Sequence, residues 1–209
     1  MTAGLLGREE FVLSIKTSSM NFLSNLFQNK SLINPAIQNS TDITAKEKQL
    51  IFIKESLKIL LKAEGYKTAG NKWWKLNEPF FNFFELQNFS WNSRNSVDFC
   101  FNFTTGLVSD IKNLNKPTIH EGIPYIRENY FSVEKNDYWK GANGYHIDNN
   151  TDLDKFTEQL LKDFKLFILL KFNLLTNDES IVRFYSDDFW GPRVKQSLAL
   201  GSKNIRIDN

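Results

Sequence analysis

Between Phe84 and Phe103, FELQNFSWNSRNSVDFCFNF, apolar and polar residues alternate, break at a cluster of Asn, Ser and Arg, and alternate again. Two antiparallel strands joined across Asn92–Asn95 satisfy a period of two. In the strand over 96–108, Val97, Phe99, Phe101 and Phe103 share one face, and Asp98, Cys100, Asn102 and Thr104 the other. The strand over 81–89 changes phase, with Phe84 and Leu86 on one parity and Phe89 and Trp91 on the opposite one. That shift predicts either a bulge near Gln87–Asn88 or cover on both faces there. NKWWKLN, 71–77, reads as a third strand.

Helical periodicity flanks these strands. Thr44 and Glu47 have capping-box spacing, Ile53, Leu57, Leu60 and Leu61 fall on one face, and Gly65 can supply a left-handed C-terminal residue. A second helix starts near Thr151, with Asp152 and Asp154 at its favourable end and a stripe of Leu153, Phe156, Leu160, Leu161, Phe164, Phe167 and Ile168. TNDES opens a short helix over 178–185. Between strands and second helix, Pro117 and Pro124 interrupt the chain; 125–131 reads as helix or strand, and 139–150 as a turn and a short strand.

Segregated strands and helices predict an α+β fold, a curved antiparallel sheet of four to five strands with an N-terminal and a long C-terminal helix packed on it. The expected organisation is an N-terminal extension and linker over 1–45, one domain over 46–190, and a C-terminal tail over 191–209 that frays at GSKNIRIDN. Within the extension, GREEFVLSIK suggests a weak amphipathic helix, Met20 offers a second start, and 28–43 is polar enough for a linker.

Composition narrows the function classes. The 26 basic and 24 acidic side chains leave a formal charge of +2, which makes nucleic acid an unfavoured partner. Cys100 is the single cysteine, so neither an internal disulfide nor a thiolate zinc cluster can form, which suits a reducing cytoplasm. LFILL, 166–170, is far too short to span a bilayer, and 1–27 makes a poor secretory signal. No membrane association and no cofactor are expected. The 19 Phe and 5 Trp imply a core built from large rings.

The segments LKAEGYKTAGNKWWKL, FFELQNFSWNSRNSVDFCFNFTTGL, YIREN and DYWKGANGYHIDNNTDLDKFTEQLLKDF, in that order, resemble the bacterial domain-of-unknown-function 4304 family over about 46–190. Its most specific marker is the pairing of LQNFSWN with FCFNFTTGL. The resemblance implies a compact, cytoplasmic bacterial domain and supplies no reaction, cofactor or agreed partner. Its recurrent polar positions map onto Gln87, Asn102, Arg127 and Trp139, which are the candidate ligand- or partner-binding residues.

Read from the residues themselves, Gln87 and Asn102 sit on adjacent strands, where two amides can bind a carbonyl, a base edge or a peptide, or satisfy each other. An ideal register pairs position 87 with 100, and a bulge could bring 102 closer. Trp73, Trp74, Trp91, Trp139 and Trp190 could line a stacking groove, although core packing explains aromatics more cheaply. Glu85, Asp98 and Lys75 could form a nuclease-like cluster, and His146 or His120 could act as a base beside Asp148 or Glu121. No metal-ligand spacing, phosphate loop or nucleophile elbow is present. The expected function is therefore a non-enzymatic cytoplasmic binding or protein-interaction domain, with a toxin-neutralising immunity factor as one form of it. The alternative is a hydrolase or nuclease using a carboxylate/His site.

Overall fold

The computed structural model describes residues 43–205 apart from 132, 134–135, 141–143 and 187–189; the expected N-terminal helix and linker lie outside the described residues. Six strands form one antiparallel sheet: β1 (Lys67–Ala69), β2 (Lys72–Asn77), β3 (Phe80–Asn88), β4 (Ser96–Leu107), β5 (Ile123–Arg127) and β6 (Tyr145–Asp148). The order is β1-β2-β3-β4-β5, with β6 also paired to β4. The α+β architecture expected from the sequence is present.

Two helical rods cover one face. The first runs α1 (Ala45–Phe52), a π-helical segment Ile53–Leu57 and α2 (Lys58–Ala63). The second runs α3 (Leu153–Asp163), a π-helical segment Phe164–Leu169 and α4 (Leu170–Phe172). Both start where the sequence placed caps: Thr44 and Glu47 form the reciprocal box, and the Asp152 side chain accepts from Asp154 and Lys155 N–H. Gly65, at φ +84°, closes the first rod in the left-handed region. The first rod is anchored at its N-terminus by buried Lys48, whose Nζ donates to Asn149 O and Thr151 O at 2.6 Å each.

Phe84 lies near the centre of the core between rods and sheet. It stacks on Trp73 (5.2 Å between centroids) and on Phe103 (5.1 Å), and meets Phe164 of the second rod at 5.8 Å. The predicted face of β4 supplies Val97, Phe99, Phe101 and Phe103 to this core.

Neither expected cause explains the phase change at the end of β3: Gln87, Asn88 and Trp91 are exposed, and only the earlier part of the strand is covered on both faces. Pairing of β3 with β4 is regular from Phe80↔Leu107 to Asn88↔Phe99, so the bulge allowed for at Gln87–Asn88 is absent; the register shift lies between β4 and β5. Phe81 and Phe83 point away from the rods and bury with Trp74, Ile111 and Ile119 under the segment that follows β4. That segment approaches so closely that a Cβ on Gly122 would lie 2.0 Å from Thr104 Oγ1.

Two further elements complete the C-terminal part: α5 (Asp178–Phe184) and α6 (Gly191–Ile205). The expected tail over 191–209 is thus helical as far as Ile205. Val194 and Leu198, one helical turn apart, are buried in the main core, and Pro192 fits a first helical turn. No helix among the described residues is long and apolar enough to cross a membrane.

Candidate functional site

The second face of the sheet is covered over only part of its area. Beyond the apolar cluster under Ile111 and Ile119, strand alternation brings out Lys72 on β2, Glu85 and Gln87 on β3, Asp98, Cys100 and Asn102 on β4, Arg127 on β5 and His146 on β6. Tyr125 precedes Ile126, whose side chain lies in the main core, and emerges on the same outer face with 54% exposure. The site is therefore a polar sheet surface edged by rings.

Three of the four candidate residues meet there. Gln87 pairs directly with Cys100, and Asn102 Nδ2 donates to Gln87 Oε1 at 2.8 Å across the diagonal, with no bulge needed. Asn102 is also the register partner of Arg127. Gln87 is exposed, whereas Asn102 is only 5% exposed and its Oδ1 has no hydrogen-bond partner among the described residues. Trp139 does not join them. It bridges to Tyr145 and meets that ring edge-on at 5.3 Å, packed against the main core on the rod side.

At the hairpin end, Phe89 and Trp91 stack at 4.5 Å with an interplanar angle of 12°, and the Arg127 guanidinium lies 5.7 Å from the Phe89 ring centre. Trp91 is 58% exposed but is not free to rotate, because its Nε1–H donates to Asp98 Oδ2 at 2.8 Å. The other Asp98 oxygen lies 2.6 Å from His146 Nδ1. Burial acts to raise the Asp98 pKa, yet the Trp91 and His146 hydrogen bonds and the His146 and Lys140 charges outweigh it and hold the carboxyl below its usual range. Sequence reasoning offered His146 the partners Asp148 or Glu121 and missed Asp98. The signal was a register fact, Asp98↔His146 between β4 and β6, which spacing along the chain does not carry.

Several alternatives lose their geometry. Lys75 pairs with Asn82 on the rod side and sits over the Tyr66 ring, so it cannot join Glu85 and Asp98; the lysine beside Glu85 is Lys72, at 3.4 Å. Glu85 and Asp98 are themselves separated along the sheet, since Glu85 pairs with Asn102. Trp73 and Trp74 are buried on opposite faces and Trp139 and Trp190 pack on the core, so of the five tryptophans only Trp91 presents a largely exposed ring. His120 is exposed. The Cys100 thiol is fully buried and pushed up to about 12, chiefly by burial, which leaves it without thiolate character. Among the described residues no three His, Cys, Asp or Glu side chains are grouped to hold a metal ion. The Asp98–His146 pair can orient an imidazole, but among the described residues no hydroxyl or thiol is hydrogen-bonded to His146.

No family model, curated protein or solved structure matches the chain.

Proposed function

We propose that the chain is a non-enzymatic protein-interaction domain that receives its partner on the open polar half of the second sheet face. The observation that carries this reading is Trp91: a ring 58% exposed yet fixed by Phe89 and Asp98. A held aromatic loses little conformational entropy on docking, and Trp, Tyr and Arg are the residue types that dominate binding hot spots. Tyr125 and Arg127 stand on the same face, and the Gln87 amide adds hydrogen-bonding capacity. Membership of the 4304 family, residence in a bacterial cytoplasm and a role as an immunity factor belong to the same proposal. The first rests on the LQNFSWN and FCFNFTTGL pair, the second on the lone buried thiol.

The test compares wild type, Trp91→Ala with Arg127→Ala, and the exposed control Lys62→Ala in affinity capture from the native host. The captured protein is then mixed with each variant in purified form. A stoichiometric complex with wild type and Lys62→Ala that is lost in the double variant is expected. Retention by the double variant, or repeated recovery of no stoichiometric partner, overturns the reading.

One observation favours the hydrolase alternative, the 2.6 Å contact between Asp98 and His146. That reading requires turnover abolished by His146→Ala while partner capture persists.

A further inference from the structure

One edge of β4 is shared by two strands. β6 pairs with Ser96–Phe99 and β5 with Asn102–Thr105, which leaves the backbone at Cys100 and Phe101 without a strand partner on that side. Glu128, the residue after β5, fills the break: Phe101 N–H donates to its Oε2 at 2.9 Å. The side chain is fully buried, and its second oxygen, Oε1, has no hydrogen-bond partner among the described residues. Gly144, at φ +71°, closes over that oxygen; a Cβ there would lie 2.5 Å from Glu128 Oε1 and 2.4 Å from Phe99 O.

We propose that Glu128 is a protonation-sensitive latch: its neutral carboxyl holds the ends of β5 and β6 against β4, and its ionisation loosens both. A neutral carboxyl can be buried with one oxygen accepting, whereas a carboxylate there carries charge into an apolar core with half its acceptors unused. The groups around it do not compensate. Cys100 on β4 is a neutral thiol, the Tyr145 hydroxyl on β6 donates its hydrogen bond to Asp163 Oδ2, and Lys165, on the π-helical segment of the second rod, is disfavoured as a cation by its own burial, with Glu64 as its favourable charge. Arg127 is the one described cation whose charge favours the ionised form, and it emerges on the opposite face with Phe89. Burial outweighs the backbone N–H groups of Glu128 itself and Phe101 and the Arg127 charge, and pushes Glu128 up to about 7.

The consequence for binding rests on the interaction reading, because Arg127 and Tyr125 lie on the strand that Glu128 secures. The latch itself is tested without any partner. Full-length protein labelled for carboxyl carbon NMR is titrated, and amide protection at Phe101, Asn102 and Tyr145 is followed over the same range in wild type and Glu128→Gln. The expected result is a Glu128 resonance that titrates near neutrality. Protection should fall about tenfold for each pH unit between the ordinary glutamate range and that point and level off above it, and Glu128→Gln should abolish the fall. A Glu128 resonance that moves with the ordinary carboxylates, or protection that changes identically in both proteins, overturns the latch. The wild-type titration decides the matter even where Glu128→Gln does not fold, and neither readout depends on Trp91 or on a partner.

Discussion

Asn102 donates its side-chain amide to Gln87 Oε1 across a diagonal of the β3–β4 pair, joining a buried residue to an exposed one. The asymmetry fixes the energetic consequence. Loss of Gln87 strands a buried donor, whereas loss of Asn102 leaves an exposed amide that water can serve. Gln87→Ala should therefore lower stability by about 1–2 kcal/mol. A double-mutant cycle with Asn102→Ala should return a coupling of about 0.5–1.5 kcal/mol in urea unfolding. Strict additivity would show that the contact carries nothing.

Phe84 is the ring on which the rod-side core converges, in contact with Tyr66, Trp73, Phe101, Phe103 and Phe164. Phe84→Ala should cost about 3–5 kcal/mol, the range for emptying a fully packed aromatic site. Phe89→Ala, at the half-buried hairpin end, should cost markedly less. Denaturant midpoints of the two variants check the order, and similar values would mean that the core is not centred where the ring contacts put it.

What the sequence made legible follows from which interactions are local. The two rods, their caps and the β3–β4 hairpin were readable because each is specified by neighbours a few residues apart: Thr44 with Glu47, Val97 with Phe99, Phe101 and Phe103. β1 was not separated out, since three residues with one half-buried side chain, Ala69, leave almost no periodic signal. Helix α6 resembles a tail in the sequence because, among its described side chains, only Val194 and Leu198 mark an inward face and Gly191–Pro192 suggests a break. At the site, the Gln87–Asn102 neighbourhood followed from hairpin register, while the Asp98–His146 contact and the Glu128 plug depend on how β5 and β6 divide one edge of β4. Trp139, which entered through the resemblance, stands apart from the other three candidates because its place is set by the bridge to Tyr145 and not by neighbours along the chain.

Gly122 should tolerate no side chain. Its would-be Cβ falls within 2.8 Å of three atoms of Thr104, itself fully buried, so neither residue has room to yield. Gly122→Ala is expected to lift the segment over Ile111 and Ile119 at a cost of about 1–3 kcal/mol or more. Faster amide exchange at Phe81 and Phe83 should accompany it, with little change at Phe101 on the rod side. Exchange raised equally on both faces would mean that the two apolar clusters do not behave as separate units.

Asp98 sets the acid limb of stability. Its carboxyl is held low in the folded protein, burial notwithstanding, by Trp91 and His146, so it binds its proton less readily there than in the unfolded chain. The unfolded state then takes up more protons as pH drops through the ordinary aspartate range, and stability falls with it. The contribution is complete above that range and is lost as pH falls through the depressed folded value. Asp98→Asn should remove this dependence and cost about 1–2 kcal/mol at neutral pH, where the charge-assisted bonds are intact. It should also free the indole, so Trp91 emission shifts to the red before global unfolding. Unfolding curves at a series of pH values check both. An acid limb of unchanged slope in Asp98→Asn would assign the loss of stability to the other depressed carboxylates, Glu47, Glu121, Asp148 and Asp152, instead.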